Sequence, residues 1–260
     1  MTGTKRQCRV GRGLTPVGLT YQTQVHGSSG AAGGAEVAWS LPAIKALTDA
    51  MATATDERQL PAMYMVWPIN RLPSPPSLAV PSGYVAQRCL ESDLGPVRTL
   101  IDSDGPISDR AWESFLDRIV PEGAFLATHA QSGQPVATAS AVHNPRATRY
   151  YFPFGGEVGY LHVDPAHRGL GLGRTMVALV LGRLIEAGYR HIFVGEQGWR
   201  LPAVKCYLRL GFVPLLHADG LLPRWRRICE QLGWAAREAD WPRSLASVAT
   251  AGQPQGLPDE

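Results

Sequence analysis

The chain is poor in cysteine and evenly balanced in charge. Its four cysteines, at positions 8, 89, 206 and 229 of 260 residues, are far apart and none forms a C-x-x-C pair. That excludes a disulfide framework and a zinc finger, predicts no metal site, and suits a reducing, cytoplasmic compartment. No apolar run reaches the ~18–20 residues that span a bilayer; the best, from Met176, is interrupted by Arg183, so no membrane association is expected. A net charge of +3 is too small to argue for nucleic acid. Acidic residues are missing from the first 35 positions, which instead hold eight glycines and Lys5, Arg6, Arg9 and Arg12. Such a segment lacks the apolar content to form a core. A transit peptide would share its bias, but the apolar core of a secretory signal is absent.

These composition shifts divide the chain. Residues 1–60 read as a disordered extension, with Met63 or Met65 as alternative starts. Residues 61–82, with six prolines, read as a linker or wrapping arm in which Met65, Val66 and Trp67 are available to pack. From Gly83 to residue 220 the pattern is that of an α/β domain. Tyr84–Leu90 reads as a strand, Ser92-Asp93 and Ser108-Asp109 as caps of two helices, and Ala124–Ala130 and Pro135–Val142 as antiparallel strands. Glu157–Val163, a helix over Thr175–Glu186, His191–Val194, a helix around Tyr207 and Phe212–His217 follow. Residues 221–243 read as an extra helix carrying Arg224, Arg226 and Arg227 on a solvated basic face, and 244–260 as a disordered tail.

The most informative stretch runs from Val163 to Thr175. A strand enters it and an apolar helix leaves it, and Gly169, Gly171 and Gly173 remove side chains where the backbone turns. Unpaired N–H groups at a helix N-terminus favour an anion such as a phosphate. The Walker pattern fails for want of a Gly-Lys-Ser/Thr, and the dinucleotide pattern fails because Met176 stands where its third glycine belongs.

What remains is Arg168-x-x-Gly171-x-Gly173, preceded by Val163 and Pro165, and it resembles the pyrophosphate loop of the GNAT acyltransferase superfamily. Ala203-x-x-x-Tyr207-x-x-x-Gly211-Phe212 resembles a second segment of that family, in the expected order and at the expected separation. Arg200 departs from it, standing where an asparagine is common. The resemblance implies a GNAT fold, a mixed central sheet flanked by helices, over 83–220.

It also implies a function: an N-acetyltransferase that uses acetyl-CoA as co-substrate and acts by direct attack of a primary amine, on a small molecule or a peptide. The loop Arg168, Gly169, Leu170, Gly171, Leu172, Gly173 and Arg174 would cradle the pyrophosphate. Leu161, His162 and Val163 would offer backbone groups to the pantetheine arm. Tyr207 occupies the position of the general acid. The base stays open between Glu157, His162 and ordered water; His162 falls on the face opposite Glu157 unless a bulge intervenes. Two other readings stand beside this one: a coenzyme A-binding module without turnover, and an enzyme with a longer acyl donor or a peptide-like acceptor. The aromatic segment His143–Gly156 is a candidate acceptor wall. Nothing in the sequence indicates oligomeric state.

Overall fold

A computed structural model describes residues 56–143 and 155–243. Residues 1–55 of the expected extension, the tail, and most of the aromatic segment after His143 lie outside the described residues. The last residues of the expected disordered extension are ordered instead: Glu57–Gln59 form a 3-10 turn and Leu60 is buried.

The described residues form one seven-stranded sheet in the order β2-β3-β4-β5-β6-β1-β7. The strands are β1 (Met63–Val66), β2 (Tyr84–Arg88), β3 (Ile119–His129), β4 (Pro135–His143), β5 (Gly155–Val163), β6 (His191–Glu196) and β7 (Val213–Pro214). The helices are α1 (Leu94–Asp102), α2 (Asp109–Leu116), α3 (Leu172–Glu186), α4 (Leu201–Leu210) and α5 (Leu221–Leu232). Ser108 caps α2 by accepting from the Ala111 amide, and Gly211, at φ 111°, ends α4 in the left-handed conformation that favours glycine. This is a mixed sheet: β5 and β6 run parallel, and the other described pairs antiparallel.

β1 comes from the segment expected to be a linker or wrapping arm. Pro61 and Pro68 bracket a short apolar run, which inserts between β6 and β7 and pairs Met63 with Glu196 and Met65 with Pro214. Met63, Met65 and Val66 are buried, as a strand covered on both faces requires. Its partners lie more than 120 residues away, so local sequence shows only the proline brackets.

Two apolar layers cover the sheet. On one face α3 contributes Met176, Val177, Val180, Leu181 and Leu184, packed with Ala137, Ala139, Ala141 and Val158. On the other, Val97, Leu100 and Ile101 of α1 and Trp112 and Phe115 of α2 cover Leu126 and Val142. Gly155 and Gly156 are the first residues of β5. A Cβ on Gly156 would stand 2.8 Å from Leu184 Cδ2, so the missing side chain lets α3 close on the strand.

The α5 arginines divide. Arg226 is on the surface, paired to Glu238. Arg224 is fully buried, not solvated as expected: its Nη2 lies 2.7 Å from Glu57 Oε2, and its Nη1 donates to the Pro61 carbonyl at 2.8 Å. The pair fastens the entry to β1 onto the C-terminal helix.

Candidate functional site

β5 and β6 pair only at their beginnings, through Gly155↔His191, Gly156↔Ile192 and Glu157↔Phe193. Beyond that vertex β5 continues on β4 alone and β6 on β1 alone. The two strands open into a cleft of about 660 Å³.

A bulge shapes the β5 side. Thr138 pairs with His162 and Ser140 with Gly159, so two residue steps on β4 match three on β5, and Tyr160 takes up the extra residue at φ 52°. Cross-strand partners share a face, so Glu157, Gly159 and His162 all lie with Thr138, Ser140 and Val142 on the α1–α2 side. The bulge thereby brings His162 onto the face of Glu157, reversing simple alternation.

His162 is 4% exposed. Its Nδ1 lies 3.1 Å from Asp104 Oδ2 and its Nε2 3.1 Å from Ser103 Oγ. The Ser103 hydroxyl also donates to the Leu100 carbonyl at 2.8 Å. The two contacts of the ring tie the end of α1 to β5.

The glycine loop closes the other end. Gly169 at φ 80° and Gly171 at φ 93° make the turn, and Gly171 is the N-cap of α3. The amides of Leu172, Gly173 and Arg174, in the first turn of α3, have no acceptor within the helix, and all three residues line the cleft. Arg168 is a staple of this loop: its Nε donates to the Val163 carbonyl at 2.8 Å and its Nη2 lies 3.5 Å from Asp104 Oδ1. The Val163 carbonyl expected to serve a ligand is thus already engaged within the protein.

The wall from β6 and α4 carries Glu196, Trp199, Arg200, Ala203, Lys205, Cys206 and Arg209. Sequence reasoning passed over Glu196, and only its place at the open end of β6, fixed by pairing with Met63, reveals it. Its carboxyl is held above the usual range, first by burial, although the Gln197 amide and the Arg200 charge pull the other way. Tyr207 is 2% exposed. Burial first, then the charge of Glu196, hold its phenol well above 10, so it stays protonated. Cys206 is pushed up to about 12 by burial, which makes it a poor nucleophile.

Of the loop and strand residues expected around a phosphate ligand, Leu161, His162, Val163, Arg168, Gly169, Gly171, Leu172, Gly173 and Arg174 all line this cleft. Leu170 does not; it is 53% exposed. Glu157 sits at the vertex, outside the lining, although its charge reaches Tyr207. With Arg168, Arg174, Lys205 and Arg209 along it, the cleft suits an elongated polyanion with an apolar arm. Among the described residues no cluster of histidine, cysteine or carboxylate side chains fits a metal ion, and no helix is long and apolar enough to cross a membrane.

Residues 94–212 match the model of the acetyltransferase (GNAT) family. The domain belongs to the GNAT superfamily. A mycothiol acetyltransferase of Nocardia farcinica is 34% identical over 113 residues, covering 44% of this chain and 35% of that protein. The chain therefore spans about a third of that curated relative. A GCN5-related N-acetyltransferase from Sphaerobacter thermophilus superposes with a TM-score of 0.48 at 20% identity, over 59% of this chain and 48% of that one. A NatC complex bound to Gag peptide and CoA gives 0.44 at 22% identity, over 50% of this chain and 84% of that one. The GNAT assignment rests on the family match rather than on those superpositions.

Proposed function

We propose that this GNAT domain transfers the acetyl group of acetyl-CoA to a primary amine by direct attack in a ternary complex. The observation that carries the reading is Glu196, a carboxylate lining the same cleft as the glycine loop with its pKa raised by burial, within electrostatic reach of the buried phenol of Tyr207, which stays protonated.

The chain's residues divide the work. The amides of Leu172, Gly173 and Arg174 hold the pyrophosphate at the positive end of α3, and Lys205 and Arg209 add charge along the same wall. The open edge of β5 around Leu161 orients the pantetheine arm. Glu196 takes a proton from the attacking amine, a role that a raised carboxyl pKa suits near neutral pH. As the C–N bond forms and the C–S bond breaks, Tyr207 protonates the departing sulfur and recovers its proton from Glu196. The net change is one N–H lost and one S–H gained.

Glu196 is preferred to Glu157 as base because it lines the cleft. It is preferred to His162 because both ring nitrogens of His162 are bonded within the protein. A coenzyme-binding module without turnover has no need of a buried acid–base pair. Release of free thiol from acetyl-CoA, followed across small primary amines, N-terminal peptides and the acceptor class of the mycothiol acetyltransferase relatives, tests the proposal. Turnover with at least one amine, reduced about 100-fold or more in Glu196→Gln, is expected. Coenzyme binding without thiol release across the panel favours the module.

A further inference from the structure

Asp104, in the connection between α1 and α2, has no role in the chemistry above, yet it meets both walls of the cleft. Its Oδ2 is 3.1 Å from His162 Nδ1 on β5 and 4.0 Å from Arg200 Nη1 at the start of α4. Its Oδ1 is 3.5 Å from Arg168 Nη2 in the glycine loop. Arg200 in turn places Nε 3.9 Å from Glu196 Oε1. One guanidinium thus lies between two carboxylates, Asp104 and Glu196, contributed by elements on opposite sides of the cleft.

We propose that Asp104 is a positioning residue of the transfer reaction: it competes with Glu196 for Arg200, and Arg168 sets the strength of that competition. The inference rests on Glu196 being the base. Charge accounts for the direction of each effect. Asp104 draws Arg200 toward itself, leaving Glu196 less compensated and a better proton acceptor. Arg168 partly neutralises Asp104 and so weakens its hold on Arg200. When a pyrophosphate enters the loop and engages the exposed end of Arg168, Asp104 keeps more of Arg200 and Glu196 becomes more basic. Coenzyme binding would then prime the base before an amine arrives.

The groups that face this network can be named from each element. β5 contributes His162, bonded to Asp104, and Glu157 at the vertex. The loop contributes Arg168. α4 and its start contribute Arg200, Cys206 and Tyr207, the last within reach of the Glu196 charge. The His162 ring holds Asp104 in place but is not in contact with Arg200 among the described interactions, so its bond and the competition separate in mutants.

The test is a carbon-13 carboxylate NMR titration of the full chain labelled at glutamate side chains, with the Glu196 signal assigned by its loss in Glu196→Gln. The wild-type midpoint is expected above that of an exposed glutamate. Asp104→Asn should lower it, Arg200→Gln should raise it, and Asp104→Glu should restore it. Saturating free coenzyme A should raise it in the wild type and leave it unmoved in Asp104→Asn. Movement of Asp104→Asn and Arg200→Gln in the same direction, or no movement in either, overturns the proposal. If Asp104→Asn fails to fold, the coenzyme-induced rise in the wild type and the Arg200→Gln shift decide it. Thiol release undiminished in Glu196→Gln would instead remove Glu196 as base, a separate failure that the titration cannot produce.

Discussion

Arg168 donates from Nε to the carbonyl oxygen of Val163 at 2.8 Å. The contact folds the glycine loop back on the strand that precedes it, so the charged residue of the R-x-x-G-x-G run acts first on the loop's shape. Arg168→Ala is expected to weaken acetyl-CoA binding roughly tenfold, the scale of one hydrogen bond from a charged donor. Arg168→Lys should not restore it, because a single ammonium cannot reproduce the fork that reaches both Val163 and Asp104. Calorimetric titration of acetyl-CoA into the three proteins measures both.

Gly171 caps α3 at φ 93°. A Cβ there would meet Pro81 Cγ at 3.7 Å, an ordinary contact, so the cost of Gly171→Ala is backbone strain rather than crowding. About 1–2 kcal/mol of stability is expected to go, seen as a fall of a few degrees in Tm. Coenzyme affinity should fall with it, because the strain reorients the first amides of α3.

The buried pair Arg224–Glu57 links the C-terminal helix to the strand that sits beside Glu196. Arg224 holds the entry to β1, β1 pairs with β6, and Met63 stands opposite Glu196. Arg224→Ala should cost about 3–5 kcal/mol, since it leaves a carboxylate largely buried without its partner. Joint replacement by Arg224→Met and Glu57→Gln should cost much less. Denaturant unfolding of the single and double variants distinguishes the two.

The order of elements from Tyr84 to Phe212 was legible because each carries its own local signal. Caps stand at Ser108 and Gly211, strands alternate or run apolar, and the glycines mark the loop. Two features that matter for function are non-local. β1 was missed because its strand character comes from partners in β6 and β7. The bulge at Tyr160, which turns His162 to the Glu157 face, appears only in the register against β4. Glu196 escaped notice for the same reason: in sequence it is one carboxylate at a strand end, and its importance comes from burial beside Tyr207.

Burial raises the folded-state pKa of Glu196 above its value in the unfolded chain. The folded protein then binds the proton more tightly, so this group's contribution to stability is full below the unfolded pKa and is lost as pH rises through the folded one. Glu196→Gln should remove that loss. Its Tm relative to wild type is expected to be higher at pH 8 than at pH 4, as measured by melting curves across that range.

The account stands or falls on the cleft between β5 and β6 being a coenzyme site, and thermal melting of the full chain with acetyl-CoA tests that most directly. At about 100 times its dissociation constant, a ligand adds about 2.7 kcal/mol, a rise of roughly 5–10 °C in Tm for a domain of this size. Acetyl-CoA and free coenzyme A should both produce the rise, ATP should not, and Gly171→Ala should diminish it. No shift with acetyl-CoA in the wild-type chain would contradict the assignment of the loop and, with it, the roles given to Glu196 and Tyr207.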